Sequence, residues 1–335
     1  MYDEVLGFLK RNFFLIITTH RGSDADGLGA EIAMSQICHK MGIKYRILNS
    51  EPVPERYAFL DPGHEIGVWE KSRDCGNPDN AALLILDCSD EYNLGGVREF
   101  IPLAKEVFLI DHHDRESLLD FGGMVDPSAS STCELMVELA AEAGINLDPV
   151  SAAAVYAGIC YDTGSFAYPK TTARTFRAAL RLTEWEVNPY SIYHELNETA
   201  AIGTLLLNQK VLSTLEIVND NRVAVQILHK EDLETFKTHI EDAENFINVP
   251  LKAKDILVSV LVKETRDGQV RCSLRSKGEI NVSKIAQFFG GGGHVTASGF
   301  RSSLGIEATL EKVLEKITLA IDQPAGEEAN PEHNK

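Results

Sequence analysis

Apolar residues in this chain gather in short unbroken runs, and the main runs end at once in acidic or imidazole side chains. Residues 13–17 lead into Thr18-Thr19-His20, residues 81–86 into Asp87, and residues 107–110 into Asp111-His112-His113. About five apolar residues without polar alternation is the pattern of a strand covered on both faces. A long amphipathic helix is predicted after the turn His20 to Gly27, with Leu28, Ile32, Ser35 or Gln36 and His39 marking its faces and Gly42 closing it. Residues 43–48 read as the next strand, so this is a βαβ unit and the sheet is mostly parallel. Further helices are predicted over 5–12, over 133–143 behind the cap-rich stretch Asp126 to Thr132, and over 149–159 and 172–183. Another helix is expected near Pro189, and a connecting one over 199–215, with Leu205, Leu206, Val211 and Leu212 as its packing positions.

From Arg222 onward the texture changes to strands, at 223–228, 256–262 and 270–274, mixed with helices. The expected fold class is α/β. A mostly parallel sheet with helices on both faces is followed by a smaller mixed α/β domain. A chain of 335 residues is too long for one core of ordinary size. The expected division is a catalytic domain over 1–187, a helical linker over 188–218, a substrate-binding domain over 219–321 and a disordered tail over 322–335.

Composition narrows the class. At 44% hydrophobic and 24% charged the chain is ordinary for a globular protein, and no apolar run is long enough to span a bilayer. The acidic start lacks the basic region of a secretory signal. Cys38, Cys75, Cys88, Cys133, Cys160 and Cys272 form no C-x-x-C pair, which fits reduced, buried thiols in a cytoplasmic protein. A formal net charge of −18 argues against coating long nucleic acid. Residues 251–301 nevertheless carry nine Lys/Arg against four acids, which favours a small, strongly anionic ligand held in one place.

In an open α/β sheet, side chains at the carboxyl ends of the strands converge on one crevice. His20, Asp24, Asp26, Asp87, Asp111, His112, His113 and Asp162 all fall at or just past predicted strand or helix ends. Singly, each Asp reads equally well as an N-cap or turn residue. Gathered, such carboxylates repel one another unless divalent cations neutralise them. Carboxylates with imidazoles suit manganese or magnesium better than a thiolate zinc site, and more than four ligands implies two ions. Paired cations can clamp the attacking and leaving oxygens of a phosphoryl transfer. In the second half, Gly290 to Gly293 with His294 allow close approach of a phosphate to backbone N–H groups, or else form a plain turn. Arg275-Ser276 supplies a guanidinium fork for a terminal phosphate. Tyr161, Phe166 and Tyr168 read as core aromatics or as stacking faces for a base.

These motifs resemble the DHH phosphoesterases: His20-x-x-x-Asp24-x-Asp26, Asp87 after an apolar strand, Asp111-His112-His113, Asp162 in Tyr-Asp-Thr-Gly, and the Gly-Gly-Gly-Gly-His box of the DHH-associated domain. The compact two-domain layout is similar to the nanoRNase/pAp-phosphatase branch. The resemblance implies that His20 and Asp24 bind one ion, that Asp26, His112 and Asp162 bind the other, and that Asp87 bridges both. It implies two Mn2+ ions, with Mg2+ as the alternative. Asp111 would orient an imidazole, and His113 would face the scissile phosphate. Arg275, Ser276, Gly291, Gly292, Gly293 and His294 would contact the nucleotide, and the stretch 244–248 would border it. Short RNA oligonucleotides or small nucleotides such as pAp, pApA and pGpG are the implied ligands, with no long nucleic acid and no membrane, and a homodimer is allowed. The alternatives are a soluble c-di-AMP/pApA phosphodiesterase, a manganese pyrophosphatase, and a nucleotide-sensing module without turnover. Ser23 and Gly27 depart from the Pro and Ala of many relatives, which bears on turn stiffness.

Overall fold

The computed structural model describes residues 2–72, 80–113, 121–265 and 268–322. It divides into two compact units, Met1–Thr199 and Ala200–Lys335.

The first unit is built on six parallel strands. In chain order they are β1 (Phe14–Thr18), β2 (Lys44–Asn49), β3 (Ile66–Val68), β4 (Ala82–Leu86), β5 (Val107–Asp111) and β6 (Gly122–Val125). Their order across the sheet is β3-β2-β1-β4-β5-β6. The apolar runs are buried on both faces, and their residues alternate between two cores with the period-two geometry of a strand. Leu15, Ile17, Leu84, Leu86, Phe108 and Ile110 face one core. Helices α1 (Tyr2–Arg11), α2 (Ala25–Met41), α4 (Thr132–Glu142), α5 (Pro149–Asp162), α6 (Ala173–Glu184) and α7 (Pro189–Asn197) contribute to that core. Ile16, Leu83, Ile85 and Leu109 face the other, with Trp69 of the short α3 (Trp69–Ser72) and Leu94, Val97 and Phe100 of the 3-10 segment Glu91–Leu103. The strand order reverses between β1 and β4, so the loops after these two strands open the switch-point crevice.

The expected amphipathic character of α2 is not observed, since every residue from Ala25 to Cys38 is buried. The helix lies against α4 and α5, and small residues bring the backbones together. A Cβ at Gly29 would stand 2.5 Å from the Ala154 carbonyl oxygen. The polar residues Asp26, Glu31, Ser35 and Gln36 are therefore interior, and three of them are held by hydrogen bonds from Thr132, Asn49 and Asp148. Gly42 does close the helix, in the left-handed region at φ 73°.

The second unit carries a mixed six-stranded sheet in the order β11-β12-β10-β9-β8-β7, antiparallel except for β8 with β9. The strands are β7 (Glu216–Val218), β8 (Val223–Leu228), β9 (Val258–Glu264), β10 (Val270–Ser276), β11 (Gly292–His294) and β12 (Ala297–Ser302). Helices α10 (Val282–Phe288) and α11 (Ile306–Asp322) contribute to one core with Val258, Val260, Val262, Cys272 and Leu274. Helices α8 (Ile202–Leu212) and α9 (Lys230–Phe236) contribute to a smaller one with Leu228, Leu261, Phe246 and Ile247. The predicted helix over 199–215 is thus shorter. Of its expected packing positions Val211 is buried, as is Leu207 one turn before it, but Leu205 and Leu206 are 69% and 43% exposed. The glycine run is more than a loop, because its last two residues pair with Ser298 and Gly299 of β12. No helix among the described residues is long and apolar enough to cross a membrane. Five cysteines are free and buried. Cys75 and the expected tail beyond Asp322 lie outside the described residues.

Candidate metal centre

The loops after β1 and β4, the end of β5 and the C-terminus of α5 bring the predicted side chains together in the first unit. Asp26 sits within the first turn of α2, and Asp111 and Asp162 are the last residues of β5 and α5. Three groups of donor atoms, each within 4.8 Å of one another, are His20-Asp24-Asp87, Asp26-Asp87-His112 and Asp87-Asp111-His113. Asp87 belongs to all three. Its Oδ2 lies 3.7 Å from His20 Nε2, while its Oδ1 lies 3.6 Å from His112 Nε2. His112 Nε2 is also 2.9 Å from Asp162 Oδ2 and 3.7 Å from Asp26 Oδ2. Asp87 adopts φ 55°, a left-handed conformation unusual for a residue with a Cβ, so the backbone is bent where the carboxylate must face two ways.

Backbone N–H groups hold the acids in place. Asp24 caps α2 with Oδ1, accepting from Asp26 and Gly27, and turns Oδ2 toward His20 at 3.7 Å. The cap and ligand readings of Asp24 are therefore compatible, one oxygen serving each. Asp26 accepts from the first amides of α4, Thr132 N at 2.7 Å and Cys133 N at 2.8 Å, where the positive end of a helix favours an anion. The Thr132 hydroxyl donates to Asp87 Oδ1 at 2.9 Å. Asp111 Oδ1 accepts from the amides of His112 and His113 and faces His113 Nδ1 at 2.7 Å. His20 Nδ1 lies 2.9 Å from the Arg21 carbonyl oxygen, which leaves Nε2 for the cluster. Asn49 accepts from Thr18 and Thr19 and donates to Glu31, which anchors the start of the His20 loop. Gly27 is matched to Thr19, whose Oγ1 would lie 2.4 Å from a Cβ there.

The charge state reflects this crowding. Burial raises Asp26 well above the usual carboxylate range, and the neighbouring Asp87 and Asp162 raise it further. Asp87 is raised too, mainly by burial. Burial alone would depress the imidazoles, but the carboxylates outweigh it. His112 is pushed up to about 10 by Asp162, Asp87 and Asp26, and His20 is lifted by Asp24 and Asp87. Protons do here what divalent cations do better, and two oxygen-rich donor sets sharing one carboxylate are the chemistry of a dinuclear centre. The residues fit a pair of hard cations.

Residues not singled out from the sequence complete the site. They are Thr132, Cys133, Asn49, Glu31 and Lys170, whose Nζ donates to the His112 carbonyl oxygen at 3.3 Å. The only signal for the first two was a cap-rich stretch before a helix. Tyr161 packs on Tyr57 and Phe166 on Phe176, so both are used in packing, while Tyr168 is half exposed.

In the second unit, Arg275 and His294 both pair with Ala297, which puts them in one row of the sheet with a small residue between. Two strand spacings separate them, about 10 Å. The Ser276 hydroxyl donates to the Ile280 carbonyl oxygen and so holds the turn that follows. Gly291 and Gly293 have a structural reason to lack side chains, because a Cβ would stand 2.2 Å from the Gly299 oxygen or 2.5 Å from the Ala297 oxygen. Gly292 faces open space.

The DHH family N-terminal domain matches residues 15–159, and the DHHA1 domain matches residues 220–323. The chain is 32% identical over 306 residues to a protein of Mycoplasma pneumoniae named bifunctional oligoribonuclease and PAP phosphatase NrnA, covering 88% of this chain and 90% of that one. It is 27% identical over 304 residues to the Bacillus subtilis protein of the same name, covering 89% and 92%. A crystal structure of an exopolyphosphatase-related protein from Bacteroides fragilis superposes with a TM-score of 0.87 at 23% identity, over 96% of this chain and 97% of that one, and shares the fold.

Proposed function

This chain belongs to the DHH family, and from that premise we propose that it is a metal-dependent phosphoesterase that hydrolyses short oligoribonucleotides to mononucleotides and pAp to AMP. One observation carries the reading: Asp87 stands between two donor sets at the switch point of a parallel sheet. Relatives of similar length named as oligoribonucleases and PAP phosphatases support the substrate class. We assign His20 and Asp24 to one cation, Asp26, His112 and Asp162 to the second, and Asp87 to both. Manganese is the preferred ion, since imidazole and carboxylate ligands are mixed. When bound, the pair supplies neutralising charge and an acidified water next to the phosphorus.

The chain's own residues do the rest. Asp111 accepts from His113 Nδ1 and favours the imidazolium, whose Nε2–H is assigned to donate to a phosphate oxygen or protonate the leaving group. The α4 amides and the Thr132 hydroxyl keep Asp26 and Asp87 oriented as acceptors. Arg275 and His294, with the open backbone at Gly292, are assigned to a phosphate of the nucleotide, and Ser276, Gly291 and Gly293 to the shape of that surface. The complete donor set favours an enzyme over a sensor without turnover, and the reading places the protein in the cytoplasm with its RNA substrates.

The test is a manganese-supplemented panel of pAp, pGpG, pApA, c-di-AMP, pyrophosphate and RNA from two to twenty nucleotides, with Asp87→Ala as the blank. Turnover should concentrate on pAp and the shortest RNAs and vanish in the blank. Preference for the longest RNA or for pyrophosphate, or activity that survives exhaustive chelation, overturns the proposal.

A further inference from the structure

We propose that a second cavity of the first unit is a nucleoside subsite, in which Tyr92 stacks on the base and Arg21 contacts the attached phosphate. The cavity holds about 350 Å³ and is lined by Arg21, Ser50, Glu51, Tyr92, Arg98 and Glu99. That lies within the range of about 300–1,000 Å³ usual for small-molecule sites. Its walls are the loops that follow β1, β2 and β4, three adjacent strands that include the switch point, where ligands of open α/β sheets bind. Another cavity, about 630 Å³ beside Phe14, Gly42 and Lys44, opens at the opposite ends of β1 and β2.

Arg21 joins this cavity to the metal centre. Its carbonyl oxygen lies 2.9 Å from His20 Nδ1, and its N–H donates to the Asn93 carbonyl oxygen at 2.6 Å. A single residue therefore links a metal-facing imidazole to the segment that presents Tyr92. Gly95, at φ 57°, makes room for the Arg21 side chain, because a Cβ there would stand 2.6 Å from Arg21 Cδ. The Tyr92 ring is 73% exposed, with the Arg98 guanidinium 5.9 Å from its centre. An exposed ring beside a guanidinium at a cavity wall is the pairing on which a base stacks without regard to its identity. Among the described residues neither Arg21 nor Arg98 is in an ion pair with a carboxylate. Ser50 and Glu51 are engaged with the Gly96 and Gly22 amides and so give the cavity its shape. With two guanidiniums against two carboxylates, the lining carries no net charge. It suits a neutral base and ribose, leaving the phosphate to the Arg21 end, next to His20.

This inference rests on the nucleotide-hydrolase reading, and a binding experiment separates the two. AMP, adenosine and inorganic phosphate are titrated by calorimetry into the full-length, manganese-loaded protein. Tyr92→Ala should weaken both AMP and adenosine about tenfold or more, the loss expected for one stacked base, and Tyr92→Phe should restore them. Arg21→Met should weaken AMP while leaving adenosine within about twofold. AMP and adenosine binding unchanged in Tyr92→Ala, or no AMP binding by the wild type, overturns the subsite, and equal losses of AMP and adenosine in Arg21→Met overturn the phosphate contact. Wild-type hydrolysis of bis(p-nitrophenyl) phosphate, which has no base, tests the phosphoesterase reading independently.

Discussion

Replacing Thr132 by valine removes one hydroxyl from the centre and leaves its volume almost unchanged. The backbone donors of Thr132 and Cys133 to Asp26, at 2.7 and 2.8 Å, remain. What disappears is the 2.9 Å bond to Asp87 Oδ1, and Asp87 is only 3% exposed, so water does not replace it readily. A hydrogen bond to a charged group is worth about 1.5–3 kcal/mol. Cation binding requires Asp87 ionised and aimed, so that difference corresponds to roughly 10- to 150-fold in affinity. Outer partners of metal ligands typically cost about 10–100-fold when removed, which agrees. The expected outcome for Thr132→Val is therefore a loss of about 10–100-fold in Mn2+ affinity. At saturating Mn2+ kcat should recover substantially, because the hydroxyl acts through Asp87 and not on the substrate. Thr132→Ser should restore the affinity. Calorimetric Mn2+ titration gives the first quantity and turnover of pGpG the second, with melting in chelator as the control for folding. Mn2+ affinity within twofold of wild type in Thr132→Val would refute the reasoning, since the hydroxyl would then be idle.

Three further substitutions address the second unit and the helical layer of the first. Gly291→Ala drives a Cβ against the Gly299 oxygen and the Phe300 Cβ, so a loss of about 1–3 kcal/mol is expected. Gly292→Ala meets nothing within 4 Å and should stay within about 0.5 kcal/mol of wild type; equal melting shifts for the two variants would contradict this division. Arg174 binds Asp126 and Glu138 at 2.6 Å each. Burial would raise both acids, but Ser128 and Arg174 hold Asp126 below its ordinary value, and Arg174 and Tyr2 do the same for Glu138. Depressed folded values mean that this stabilisation is complete above the unfolded range, near pH 4, and fades as pH falls through the folded values. Arg174→Met should be less stable at neutral pH and lose less on acidification, so parallel stability curves from pH 7 to pH 3 would rule out the linkage.

The layout of the first unit was legible because its strands are buried on both faces and leave continuous apolar runs. The same runs located the site, since a parallel sheet puts its ligand-facing residues immediately after each run. Legibility failed where contacts are distant in sequence or involve the backbone. Thr132 reaches Asp26 and Asp87 across 106 and 45 residues, and half of that interaction is an amide that every residue possesses. The burial of α2 was hidden for a related reason. Glu31 and Gln36 look like solvated positions until their partners Asn49 and Asp148 arrive from elsewhere in the fold. In the second unit β11 was masked by glycine, a poor strand former that is required here because β12 passes too close for a side chain.

The way the acids are held bears on why the centre should take cations. Asp24, Asp26 and Asp111 are restrained mainly by amide N–H groups from α2, α4 and the loop after β5. An arginine or lysine at those places would neutralise the carboxylates outright and compete with both a metal and a substrate phosphate. Amides orient an oxygen and soften the repulsion without cancelling the charge. Among the described residues, Lys170 donates to the His112 carbonyl oxygen and not to a carboxylate. Burial, together with the remaining repulsion, drives Asp26 and Asp87 toward protonation, and the carboxylates keep His20 and His112 charged. Such an arrangement is electrostatically incomplete by construction, because its ligands are aimed and crowded but left with net negative charge. Divalent cations would neutralise that excess.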